Sequence, residues 1–282
     1  MSVNGGRPMR EVGKWRGLVV AGVFGVIFLL QAACAQDQAP VDPSLQQAID
    51  NFKKTIGEAQ RYAYTEHKHD LTFDSAGKAK QDSSDTFEII FLEGAPYQKH
   101  TLHNDRPLPE KEQKAEDAKL ADVAKARHNA PGANDRKGLF NAYFRLSLPV
   151  DQIPTRFIMA SGGSEEIEGR RSLIFTATPS LAGTDVKQLA HDGLAYEMKL
   201  WVDQQDKTFC RIEAKVIADG MRFEKDSLLG YNWKKVNDEA WLPARYWFKG
   251  KVRYMMSNVP AKTEQTYTDY KKFRVETKIT SE

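Results

Sequence analysis

The chain is poor in cysteine, with only Cys34 and Cys210 in 282 residues. Cys34 falls in a stretch read below as a removable leader. No intramolecular disulfide is then available, and an ordinary apolar core must supply the stability. An excess of one charge is also missing. The leader takes four basic and one acidic side chain from totals of 41 and 38, so residues 36–282 carry 37 of each. That balance points neither to nucleic acid nor to an anionic membrane surface. The longest uninterrupted apolar run, Gly17 to Leu30, is too short to cross about 30 Å of hydrocarbon comfortably as a helix. No Gly-x-Ser-x-Gly element is present. Ser161-Gly162-Gly163-Ser164 lacks the lysine of a phosphate loop and reads as a flexible loop.

The N-terminus has the three parts of a secretory leader. Arg7, Arg10, Lys14 and Arg16 precede the apolar run, and Ala32, Ala33, Cys34 and Ala35 follow it. Ala33-Cys34-Ala35 fits the small-x-small rule, so cleavage is expected before Gln36, giving a periplasmic or otherwise exported protein. An uncleaved anchor would need a longer apolar run. Lipidation of Cys34, giving an outer-membrane lipoprotein, fits Ala32-Ala33-Cys34, although Gln31 stands where leucine is usual. We therefore read 1–35 as signal peptide, 36–43 as linker and 44–282 as a single domain.

A helix is expected over Leu45, Ile49, Phe52 and Ile56, one stripe on a 3.6-residue period, with Ser44 as N-cap and Gly57 near the end. Strands dominate after that. Tyr62–Phe73, Phe87–Leu92 and Tyr97–His103 read as a meander joined by turns at Asp74–Gly77 and Glu93–Pro96. Residues 107–130, rich in Lys, Glu, Asp and Ala, predict an inserted, solvent-exposed charged helix, followed by a loop over His128–Lys137. Further on, Leu173, Phe175 and Ala177 share a strand face. Tyr196, Met198, Leu200 and Val202 alternate with polar neighbours, and Cys210, Ile212, Ala214 and Val216 answer them after a turn at Asp203–Lys207. Tyr246, Phe248, Val252, Tyr254 and Met256 oppose Arg245, Trp247, Lys249, Lys251 and Arg253. A last strand is expected from Thr266 to Ile279. The fold class is mainly β (α+β): a strongly curved antiparallel half-barrel covered by an N-terminal helix and one inserted charged helix.

No spacing singles out a catalytic pair, so the chain is not read as an enzyme. His67 and His69 share one side of a strand, whereas His100 and His103 face opposite sides of a regular one. No cysteine or carboxylate falls at a metal-motif spacing, so neither a metal site nor a cofactor is expected. Cys210, on an apolar strand face, reads as an inert core thiol. The best lead is the apolar face itself. Tyr196, Met198, Leu200, Ile212, Tyr246, Phe248 and Tyr254 line a cavity for a hydrophobic ligand in this reading, against the plain alternative that they are only core.

Leu200-Trp201-Val202-Asp203 followed by Cys210-Arg211-Ile212-Glu213 resembles a hairpin of periplasmic lipoprotein-carrier proteins of the LolA/LolB type and related lipoprotein-sorting proteins. Ile167-Glu168-Gly169-Arg170 with Ile174-Phe175 and Pro179, Glu239-Ala240-Trp241-Leu242-Pro243, and Tyr267-Thr268-Asp269-Tyr270 fit the same kind of protein, over residues 140–279. The resemblance implies an open β half-barrel closed by helices, with a concave hydrophobic face that receives acyl chains. The implied partners are a hydrophobic ligand or lipoprotein, with the membrane touched only transiently unless Cys34 is lipidated. The charged insertion and the lack of a matching acyl-gating arginine depart from the carriers. A different reading of the same fold is an envelope interaction module, with Trp201, Trp247 and the Arg245–Arg253 stripe as its contact surface.

Overall fold

The computed structural model describes residues 42–129 (except 60 and 94), 148–254 and 257–272. The leader, most of the linker, the loop after Asn129 and the chain beyond Lys272 lie outside the described residues. Helix α1 (Pro43–Ala59) leads into strands β1 (Tyr62–Phe73), β2 (Ala79–Leu92), β3 (Ala95–His103) and β4 (Arg106–Pro107), then helix α2 (Glu110–Asn129). A 3-10 turn (Val150–Gln152) and the short α3 (Ile153–Arg156) precede β5 (Phe157–Ile167) and β6 (Arg170–Pro179). Helix α4 (Val186–His191) is followed by β7 (Tyr196–Asp203), β8 (Phe209–Val216), β9 (Leu228–Val236), β10 (Ala240–Tyr254) and β11 (Ser257–Lys272).

All eleven strands form one open antiparallel sheet in the order β4-β3-β2-β1-β11-β10-β9-β8-β7-β6-β5. The first and last long strands pair at its middle, Tyr62 opposite Lys272 and Thr72 opposite Ala261. The sheet curves around a core that joins α1 to residues from β6 through β11. The curved, mainly β architecture expected from the sequence is the one observed.

The N-cap of α1 is Asp42, not Ser44. The Asp42 carboxylate accepts the Ser44 N–H at 2.8 Å, and Pro43 takes the first helical position, where its missing N–H costs nothing. Leu45, Ala48, Ile49 and Phe52 are all buried. The Phe52 ring meets Phe209 edge-on at 5.5 Å and Trp233 at 5.1 Å. Burial of this stripe, at about 1.5–3 kcal/mol for each large side chain, holds the helix against β7, β8 and β10. Asn51 adds a polar tether by donating to the Lys207 carbonyl at 2.9 Å.

Three sequence expectations change. Ser161–Ser164 is not a loop but part of β5, where the pairing shifts between Ser161 and Ser164 and Gly163 takes a φ of 90° that suits glycine. The last strand starts at Ser257, before Thr266, because it pairs along the full return of β10 from Tyr254 to Arg245. β9 was not anticipated, although Leu229, Tyr231 and Trp233 alternate along it.

The charged insertion is helical, but its charges do more than keep it soluble. Arg127 donates from Nη1 to the Leu92 and Ala95 carbonyls (2.8 and 2.9 Å) and from Nη2 to the Pro96 carbonyl (2.9 Å). Buried Glu116 accepts from the Tyr97 hydroxyl at 2.7 Å and from the His100 N–H at 3.4 Å. Helix α2 thereby satisfies backbone groups along β3, whose free side carries only the two-residue β4. An uncovered edge would invite pairing with another chain.

Candidate functional site: the inner face of the sheet

Side chains on the α1 side of the sheet form continuous rows from strand to strand. One row runs Phe175, Leu200, Ile212, Tyr231, Tyr246, Gln265, Lys68, Asp85 and His103, each the cross-strand partner of the next. A second runs Ala177, Met198, Ala214, Leu229, Phe248, Thr263 and Asp70. Both change character along their length, from apolar on β6–β8, through Tyr231 and Tyr246 in one row and Leu229 and Phe248 in the other on β9 and β10, to polar on β11, β1 and β2. The inner face is therefore amphipathic across the width of the sheet.

Its apolar part contains six of the seven residues singled out from the sequence. Tyr196, Met198, Leu200, Ile212 and Phe248 belong to one buried cluster with Leu45, Ile49 and Phe52 of α1, and Tyr246 packs against it. Tyr254 ends β10 opposite Ser257, and its side chain lies outside the described residues. A cavity of about 130 Å³ opens beside Tyr196, between α4 and the loop after β8, lined by Val216, Phe223 and Arg222. Cys210 is buried with its thiol 3.2 Å from the Ser172 hydroxyl, and burial pushes its pKa up, as befits an inert core thiol.

Where α1 no longer covers the sheet, tyrosines take over. Tyr231 and Tyr246 pack at 4.8 Å, and Tyr64 meets Tyr267 at 5.9 Å and Tyr270 at 5.4 Å. Among the last three lies Glu66, only 4 % exposed. Gln98 Nε2 donates to its Oε2 at 3.1 Å. Burial lifts the Glu66 carboxyl to about 7, against the opposing pull of the Gln98 hydrogen bond and the Lys68 charge. The Tyr64 and Tyr267 phenols are raised too, by burial first and then by the nearby Glu66 charge. Nothing in the sequence singled out Glu66, although it shares strand parity with Tyr64.

At the polar end, β3 carries one extra residue. Phe87 pairs with His100 and Thr86 with Leu102, leaving Thr101 as a bulge. The expectation that His100 and His103 face opposite sides fails for this reason, since the bulge turns both to the inner face. Asp85 Oδ1 lies 2.8 Å from His103 Nδ1 and 3.0 Å from His100 Nε2. The Phe87 ring stacks on His100 at 4.8 Å. His67 and His69 project from the opposite face, toward Thr86 (3.1 Å) and Asp82 (2.7 Å) respectively.

The outer face holds the two tryptophans considered as a contact surface. Trp201 does not serve as one. It is 2 % exposed, lies under Lys199 and Arg211 (4.5 and 5.1 Å from its ring), and donates from Nε1 to Glu165 at 2.8 Å. Trp247 is half-buried and lies flat over Gly230, where a Cβ would come within 2.3 Å of the indole nitrogen. It borders a shallow groove of about 420 Å³ shared with Leu228, Thr176, Lys199 and Glu213.

Strand order and burial together define an open, curved antiparallel sheet with one amphipathic inner face and a single long helix seated in its apolar half. No protein-family model matches the chain, and no curated protein matches it. Several solved structures are similar to it. An outer membrane lipoprotein-sorting protein domain from Vibrio parahaemolyticus is 9% identical, over 84% of this chain and 95% of that one, at a TM-score of 0.31. A DUF1329 family protein from Desulfovibrio piger is 11% identical, over 86% and 95%, at 0.32. A LolA superfamily protein from Nitrosomonas europaea is 9% identical, over 83% and 97%, at 0.28. These TM-scores are low, and the half-barrel description stands on this chain's own pairing. Among the described residues, no helix is long and apolar enough to cross a membrane.

Proposed function

We propose that the protein is an exported, non-catalytic binder of a lipid, a lipoprotein acyl chain or a similar apolar ligand, held on the inner face of the half-barrel. One observation carries this reading: the inner face passes from apolar on β6–β10, with Tyr231 and Tyr246 at the boundary of one row, to polar on β11, β1 and β2 along single cross-strand rows, while α1 covers only its apolar half. An amphipathic ligand matches that gradient, with its methylenes on β6–β10 and its polar end toward β1–β3. Each buried methylene contributes about 0.8 kcal/mol. A long chain needs far more room than the cavity of about 130 Å³ beside Tyr196 supplies, so α1 moves aside as ligand enters. The solved structures that the chain is similar to include proteins described by lipoprotein sorting, which agrees with this reading.

Native mass spectrometry of the protein purified from a bacterial periplasm, followed by organic extraction, tests it. Co-purifying lipid at near-stoichiometric amounts is the expected result. A clean apo mass, together with no binding of fluorescent acyl probes, would end the proposal.

A second reading rests on the outer groove beside Trp247. On that account the protein is an envelope interaction module that docks a partner protein there. Trp247→Ala would then abolish partner capture while leaving any lipid content unchanged.

A further inference from the structure

We propose that Asp85, His100 and His103 form a binding site for a late first-row divalent metal ion, Zn2+ or Cu2+. The donor atoms on these three side chains lie within 4.8 Å of one another. Both imidazole nitrogens converge on the same carboxylate oxygen, at 2.8 and 3.0 Å. Donors about 2.0–2.1 Å from an ion stand roughly 3–3.5 Å apart at the angles of octahedral or tetrahedral coordination. The two nitrogen-to-carboxylate spacings need only widen by a few tenths of an ångström, while the ring nitrogens, within 4.8 Å of each other, settle at the ligand spacing and His100 Nε2 exchanges its contact with the Leu102 carbonyl, 2.9 Å away, for the ion.

Two imidazoles and one carboxylate suit Zn2+ and Cu2+ better than Mg2+ or Ca2+, which demand oxygen. The site is also oriented. Phe87 stacks on the His100 ring and fixes its plane. Lys68, the cation directly across the strand from Asp85, is paired with Asp70 and so does not claim the carboxylate. The bulge at Thr101 is the device that assembles the trio, because without it the two histidines point to opposite faces. All three side chains remain partly open to solvent, so an ion can enter from water and retain a water or ligand atom as a further donor.

The test uses protein expressed from the full-length gene, purified without a histidine tag and stripped with a chelator. Calorimetric titration with ZnCl2 and, separately, CuCl2 should show one equivalent bound per chain. The paired change His100→Ala with His103→Ala should weaken binding at least 100-fold, and Asp85→Asn about 10-fold or more. His69→Ala, on the opposite face, should leave binding unchanged. Bound Cu2+ should show nitrogen hyperfine structure in its electron paramagnetic resonance spectrum, absent in the paired variant. Far-UV circular dichroism confirms that each variant is folded. Binding of either ion that disappears in the folded paired variant supports the site. No binding of either ion below about 100 µM, or binding that survives the paired change, overturns it. The titration is read on lipid-free protein and needs no ligand on the apolar part of the face, so its outcome is distinguishable from that of the lipid measurement.

Discussion

Arg170 grips Asp203 through two parallel hydrogen bonds, Nε to Oδ2 and Nη2 to Oδ1, each 2.8 Å. Asp203 is 1 % exposed, and its Oδ1 also accepts the backbone N–H groups of Gln205 and Asp206 at 3.0 and 2.7 Å. Nη2 reaches on to Asp206, which Trp241 Nε1 and Lys235 also contact, each at 2.9 Å. Three of the segments that carry the sequence resemblance, around Arg170, Asp203 and Trp241, thus meet in one polar knot. That knot ties the β7–β8 turn to β6, β9 and β10. Asp203→Ala removes the fork and the turn acceptor together and leaves the partly exposed Arg170 guanidinium with Asp206 alone. We expect a loss of about 2–4 kcal/mol from the lost charged hydrogen bonds, read as a lower urea midpoint at unchanged m-value.

Glu66 makes stability depend on pH in an unusual direction. Its carboxyl titrates near the ordinary 4.5 when unfolded and at about 7 when folded. Below 4.5 both states hold the proton. Between 4.5 and 7 the folded state holds more protons than the unfolded one, so stability falls as pH rises. Glu66→Gln keeps a partner for Gln98 and removes the charge. The variant should be more stable than the parent at pH 8, by on the order of 2–3 kcal/mol, with the gap closing toward pH 5. Melting curves across that range decide it, and equal pH profiles for the two proteins would sink the idea.

Phe52 is the keystone of the α1 contact, packed edge-on between Phe209 and Trp233. Phe52→Ala should cost about 3–5 kcal/mol. If α1 is the cover over the ligand face, the same change should also speed exchange of a bound acyl probe in stopped-flow displacement. A variant that is destabilised but exchanges probe at the parent rate would separate core packing from gating.

Arg127→Ala strips three carbonyls near the start of β3 of their donor. Charged hydrogen bonds of this kind contribute about 1.5–3 kcal/mol each before non-additivity, so a loss of about 2–4 kcal/mol is expected. The bared edge should also drive concentration-dependent self-association, visible by light scattering at concentrations where the parent stays monodisperse.

Alternation of large apolar and polar residues made the hairpin of β7 and β8, the long β10 and the curved sheet legible in advance. So did the 3.6-residue stripe of α1. The polar end of the inner face was not legible, for local reasons. Glu66 carries no motif, and its raised carboxyl exists only because Tyr267 and Tyr270 of β11, distant in sequence, close around it beside Tyr64. The meeting of His100 with His103 depends on Thr101 being squeezed out of register. No glycine or proline marks that bulge, and a strict period of two places the rings apart. The role of α2 was hidden in the same way. Glu116 and Arg127 look like any other charges on a solvated helix until a strand edge lies beside them. Trp201 misled in the other direction, because parity alone cannot show that Lys199 and Arg211 roof it over.

The pairing of β1 with β11 has a consequence for how the molecule is made. Tyr62 waits for Lys272, so the centre of the sheet closes only after nearly the whole chain is present. Contacts of such sequence separation fold slowly, since a long loop must be ordered before the pairing rewards it. Until β11 arrives, β1 and β10 each present a raw edge to their surroundings. A chain emerging N-terminus first is therefore most vulnerable to misassembly late in its birth, and a holding chaperone would be most useful during that interval.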